Sequence, residues 1–143
     1  VKRIGSLVGQ SVRVNLRGPE SQTGLLLLTN EEYLALQVHS GEVIYYQQKH
    51  VKSVLKKAKE TKADYLGQEG SYFEKDTFQD VLGNLKYAWV KINRGGPESV
   101  EGLLSDTNEE YITLVNNEEV VYVLNLHIKN VNQVTKNKKN DKE

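Results

Sequence analysis

The sequence contains no cysteine, which excludes disulfide staples, thiolate metal sites and a cysteine nucleophile together, so the core has to hold by packing. It has no surplus of either charge. Nineteen basic residues face nineteen acidic ones, and no overall field draws the chain to nucleic acid or to an anionic membrane; any such attraction has to be local. It also lacks a long apolar run. No stretch approaches the roughly 20 residues that cross a bilayer, so no membrane partner is expected. Nothing near the start has the basic opening, apolar middle and small-residue cleavage site of a secretion signal. The chain opens on Val1 rather than methionine, which suggests sequence ahead of it. What remains is the composition of a soluble globular protein, and 143 residues could hold one ordinary domain or two very small ones.

An internal repeat decides for two. Arg17-Gly18-Pro19-Glu20-Ser21 returns as Gly95-Gly96-Pro97-Glu98-Ser99, and Gly24-Leu25-Leu26 as Gly102-Leu103-Leu104. Thr29-Asn30-Glu31-Glu32-Tyr33 becomes Thr107-Asn108-Glu109-Glu110-Tyr111 without a gap. After the loss of one loop residue, Glu42-Val43-Ile44-Tyr45 aligns with Glu119-Val120-Val121-Tyr122, and His50-Val51-Lys52-Ser53-Val54 with His127-Ile128-Lys129-Asn130-Val131. Matching blocks on both sides of one indel mark two copies of a single unit.

Each copy starts with helical spacing and continues with alternation. In the second, Asp76-Thr77 forms a helix cap ahead of Phe78, Val81, Leu82 and Leu85 at i, i+3, i+4, i+7, which predicts a short amphipathic helix. The first keeps Ile4 and Leu7 at matching positions, and its helix is expected to be incomplete. Val12, Val14 and Leu16, like Val90 and Ile92, then alternate as a first strand. Gly-Pro makes a turn, because proline fixes φ and removes a donor while glycine accepts unusual torsions. The runs 24–28, 33–38, 43–46 and 51–55 complete a meander of about five short strands.

A mainly β fold follows: a tandem pair of small SH3-like or Sm-like barrels, each with a short leading α-helix. The expected boundaries are 1–57 for the first barrel, 58–74 for a polar linker, 75–135 for the second barrel and 136–143 for a disordered charged tail. In the linker, Tyr65, Leu66, Tyr72 and Phe73 argue against full disorder. A unit of roughly 60 residues buries little apolar surface for its length, so the two barrels should share an interface.

The two Gly-Pro-Glu-Ser elements, each followed by Gly-Leu-Leu, an acidic turn with tyrosine, and His-Val/Ile-Lys-Ser/Asn-Val, resemble the spore coat protein B family of endospore-forming bacilli over nearly the whole chain. The resemblance implies a structural protein of the outer spore coat, made in the mother-cell cytoplasm, without catalytic activity or cofactor. It implies other spore coat proteins as partners, with self-association, and a charged C-terminal region that a coat kinase can phosphorylate.

Candidate sites are few. Gly18, Pro19, Glu20 and Ser21, with Gly96, Pro97, Glu98 and Ser99, form loops whose tips could meet a partner, although a simple turn also accounts for them. His50 and His127 occupy equivalent positions, but neither copy brings the three or four convergent ligands of a zinc site, so both read as structural. A triad of Ser21, His50 and Glu20 can be sketched, yet the serine lacks the strained Gly-x-Ser-x-Gly elbow of a hydrolase. No phosphate-cradling loop and no dinucleotide fingerprint is present, so neither an enzyme nor a small-molecule substrate is expected. Lys49, Lys52, Lys56, Lys57, Lys59 and Lys62 form a basic patch. It makes RNA binding the rival reading, but the recurring acidic pairs Glu31-Glu32 and Glu109-Glu110 favour a solvated basic face that meets acidic surfaces of coat subunits.

Overall fold

The computed structural model describes residues 2–57 and 72–134. The first copy opens with a 3₁₀ turn, Lys2–Leu7, followed by β1 (Ser11–Val14), β2 (Gln22–Thr29), β3 (Tyr33–Gln37), β4 (Val43–Gln47), a 3₁₀ turn Gln48–His50, and β5 (Val54–Leu55). The second has α1 (Phe78–Asn84), then β6 (Trp89–Ile92), β7 (Val100–Thr107), β8 (Tyr111–Asn116), β9 (Glu119–Leu124), a 3₁₀ turn Asn125–His127, and β10 (Asn130–Gln133). The helix begins as its sequence requires: Thr77 is extended, and its Oγ1 accepts from the Asp80 N–H at 3.0 Å.

The repeat is visible in the local chemistry. Asn30 Oδ1 accepts from the Glu32 and Tyr33 amides, and Asn108 Oδ1 does the same for Glu110 and Tyr111, so one side chain fixes each acidic turn. Strands β2 and β7 each carry one irregularity, between Leu26 and Leu28 and between Leu104 and Asp106, and a bulge there bends the strand. Val14 and Ile92 end the first strand of each copy, because the asparagine that follows is left-handed, with φ of +63° at Asn15 and +56° at Asn93. Leu16, expected on the first strand, therefore lies beyond it and is exposed.

All ten strands join in one antiparallel sheet in the order β5-β1-β2-β3-β4-β10-β6-β7-β8-β9. This corrects the expectation of a tandem pair of barrels, because the sheet does not close within either copy. Each copy keeps its five strands in the same internal order, but the sheet stays open. The edge of β4 is taken by β10, the last strand of the other copy, so the backbone groups of β4 are satisfied between copies.

Two hydrophobic cores lie on opposite faces of the shared strands. Leu34, Leu36, Ile44 and Tyr46 pack with Val12, Val14, Leu26 and Val38 of the first copy. Their neighbours in sequence, Tyr33, Ala35, Val43 and Tyr45, point the other way into a core with Phe78, Val81, Leu82, Leu85, Val90, Ile92, Leu104, Ile112, Leu114, Ile128 and Val131. Since successive strand residues face opposite sides, β3 and β4 of the first copy are buried on both, and half of each belongs to the core of the second. The chain between the copies takes part as well. The expected linker 58–74 falls outside the described residues except for 72–74, and there Phe73 stacks on Tyr45 with centroids 4.7 Å apart, so this end of it packs. The expected tail 136–143 also lies outside the described residues.

Candidate interaction surface

The joint between the copies shows what each end of the unit can bind. Across it Asn130 faces Tyr46, Val131 faces Tyr45 and Asn132 faces Ile44. The Gln47 N–H donates to the Lys129 carbonyl at 2.9 Å, and Gln47 Nε2 donates to the Ile128 carbonyl at 2.7 Å. Charges flank the strands. Arg94 Nη1 meets Glu42 Oε1 at 2.6 Å in a half-buried pair, and Lys129 Nζ lies 3.5 Å from Glu20 Oε2.

The first Gly-Pro-Glu-Ser loop is part of this joint. The Tyr46 hydroxyl donates to the Glu20 carbonyl at 3.0 Å, while Ser21 Oγ accepts from Arg13 Nε at 2.8 Å within the same copy. Gly95, at φ +89°, lies so close to the Pro19 carbonyl that a Cβ there would overlap it, and a Cβ on Gly96 would meet the Glu20 carboxylate. The two loops are thus brought together. Gly18, Pro19, Gly96, Glu20 and Ser21 lie at or beside the joint, whereas Pro97, Glu98 and Ser99 face outward.

Burial in the joint also alters the tyrosines. Loss of water raises the Tyr45 phenol to about 12, against partial compensation by the hydrogen bond it accepts from the Phe73 amide. Burial raises Tyr46 as well, with Arg94 opposing, and raises Tyr33, whose hydroxyl donates to the Lys75 carbonyl at 2.9 Å.

The histidines occupy equivalent strand entrances with different surroundings. His50 Nε2 donates to the Leu126 carbonyl at 2.9 Å and so helps to hold the joint, while His127 is exposed. Ser21 Oγ is taken by Arg13 and His50 Nε2 by the Leu126 carbonyl, so neither of these bonds belongs to the sketched triad. Of the basic patch, Lys49, on the 3₁₀ turn after β4, and Lys52 and Lys57, on either side of β5, are exposed and Lys56 is half-buried; Lys59 and Lys62 lie outside the described residues.

The feature that sequence reading missed is β9, which among the described residues is an open edge of the sheet. Val120, Tyr122 and Leu124 on it and Leu126 on the turn that follows are exposed, and a groove of about 660 Å³ runs between β9 and the outward loop, lined among others by Glu98, Val121, Tyr122, Val123, Leu124 and His127. A signal existed. Val120-Val121-Tyr122-Val123-Leu124 is apolar at consecutive positions, which is the pattern of a strand covered on both faces.

The chain is 38% identical over 128 residues, or 90% of its length, to Spore coat protein B of Bacillus subtilis strain 168. It spans about a third of the length of that curated relative, of which the match covers 33%. No family model and no solved structure matches the chain.

Proposed function

The chain belongs to the spore coat protein B family, and on that premise we propose that it is a structural, non-enzymatic module of the coat that acts by binding protein surfaces. Its site of action is the spore coat, and its partners are other coat proteins and further copies of itself. Each five-strand unit serves as an SH3-like or Sm-like module that shares a strand edge with its neighbour instead of closing on itself. The observation that supports this reading is the β9 edge, where Val120, Tyr122 and Leu124 stand in solvent on a strand that has no outer neighbour among the described residues. Contiguous apolar surface of this kind marks an interaction site, and an open strand edge is a template for another chain. RNA binding is the weaker reading, because the lysine position that Lys52 and Lys129 share in the repeat meets a carboxylate, Glu20, in the copy where its contact is seen.

The test is retention in spores. A tagged chain made in sporulating cells should co-extract with the coat, and replacing Tyr122 and Leu124 by lysine should release it to the soluble fraction. A wild-type chain that remains wholly in the mother-cell lysate would overturn the proposal.

A further inference from the structure

We propose that these molecules join head to tail, β5 of one pairing antiparallel with β9 of the next, so that the β4–β10 joint inside the chain is repeated between chains. This rests on reading the chain as an interaction module of the coat and names a second copy as the occupant of its open edge.

The repeat supplies the argument. Strand β10 has neighbours on both sides, β6 and β4, whereas its counterpart β5 has only β1 among the described residues. Strand β4 has β3 and β10, whereas its counterpart β9 has only β8 among the described residues. The two open edges are therefore the same two edges that already bind one another within the chain. Their exposure differs accordingly: Val43 and Tyr45 are 7% and 3% exposed, and their counterparts Val120 and Tyr122 are 52% and 63% exposed.

The internal register carries over position by position. Asn130–Tyr46, Val131–Tyr45 and Asn132–Ile44 become Ser53–Val123, Val54–Tyr122 and Leu55–Val121 between molecules. The Gln47 amide points at β10, so the amides of Leu124, Tyr122 and Val120 point at the open edge, as a period of two requires. Charges also fit. The Lys129–Glu20 pair becomes Lys52 with Glu98, and continuing the register sets Lys57 opposite Glu119, all four exposed in the single chain. His127 would donate to the Lys49 carbonyl as His50 does to that of Leu126.

One contact does not carry over. Arg17 stands where Gly95 closes on Pro19, and Leu16 stands where Arg94 binds Glu42. The joint between molecules therefore lacks the loop contact and the half-buried ion pair of the internal one, and it is weaker and reversible. Such a contact is heterologous, so it builds rings or filaments rather than a two-fold dimer.

Sedimentation velocity should show the mass rising with concentration at low salt and falling toward the monomer as salt screens the flanking charges over about 8 Å or less. Lys57→Glu or Glu119→Lys alone should weaken association by about tenfold, and the double exchange should restore it. The chain has no cysteine, so a register test is clean. Ser53→Cys mixed with Val123→Cys should cross-link as a mixed pair, because opposed positions in an antiparallel ladder fall within disulfide reach. A concentration-independent monomer, or like-with-like cross-links as abundant as mixed ones, would overturn the joint. Coat retention of a chain that stays monomeric would sink this inference alone, leaving the coat function standing.

Discussion

Strands β4 and β9 are the same strand of the repeat in two situations. In β4 the residues Val43 to Tyr46 are all buried, whereas in β9 every second residue is exposed. Their sequences do not predict the difference, since both are apolar at consecutive positions. The difference lies in what covers them: β4 has β10 at its edge and the helix end and Phe73 on its outer face, while among the described residues β9 has only β8 at its edge. Burial of a side chain of this size is worth roughly 1.5 to 3 kcal/mol. The joint is thus a large part of what stabilises the first copy, and the second copy presents the same surface without that gain.

The largest test of this comparison concerns the two leading helices. Leu82 on α1 is 1% exposed in the core that both copies build, while its counterpart Ile4 lies half-buried on the 3₁₀ turn at the rim of the other core. Leu82→Ala should cost about 3 kcal/mol, within the range for emptying a core site, and Ile4→Ala about 1 kcal/mol. Urea unfolding should register both as shifts of one cooperative transition, since β3 and β4 are common to the two cores. Equal costs, or two separate transitions, would show that the copies are equivalent and independent.

Much of this was legible in the residues, and the misses have a common cause. The repeat, the Thr77 cap, the asparagine-fixed turns and the strand runs are local, and their chemistry lies within a few positions of sequence. The register of Gly-Pro-Glu-Ser to Gly-Pro-Glu-Ser was equally readable. Which edge β5 and β10 would take was not, because a strand's alternation specifies its faces and leaves its neighbour open. Closing β5 onto β4 within each copy and exchanging β10 onto β4 across copies satisfy the same alternation. The role of Phe73 was hidden for a related reason: it sits in a polar stretch between the copies, and its partner Tyr45 is distant in sequence and belongs to the first copy.

A middle-sized effect is expected where the two loops touch. Gly95 has a left-handed φ and no room for a Cβ beside the Pro19 carbonyl, while the residue aligned with it, Arg17, is exposed. Gly95→Ala should cost about 1 to 3 kcal/mol, combining backbone strain with displacement of the first loop, and Arg17→Ala less than about 0.5 kcal/mol. Chemical denaturation of the two variants side by side measures the asymmetry. A tolerated Gly95→Ala would mean that the loops are not held together in solution.

The smallest effect separates the two glutamates of the repeated loop, and it bears on stability in one case and on assembly in the other. Glu20 pairs with Lys129 across the joint, but the lysine side chain is 47% exposed, so water and salt screen the attraction and Glu20→Gln should cost less than about 1 kcal/mol. That small loss should vanish at high salt, where the pair contributes least. Glu98 is exposed on the outward loop, so Glu98→Gln should leave the unfolding curve of the monomer unchanged. If β9 receives a second molecule, the same substitution removes the partner of an incoming Lys52 and should weaken self-association at low salt while leaving it unaltered at high salt. A Glu98→Gln variant that changed neither quantity would leave the strand edge itself to carry the joint, and one that destabilised the monomer would show that the outward loop already has a partner within the chain.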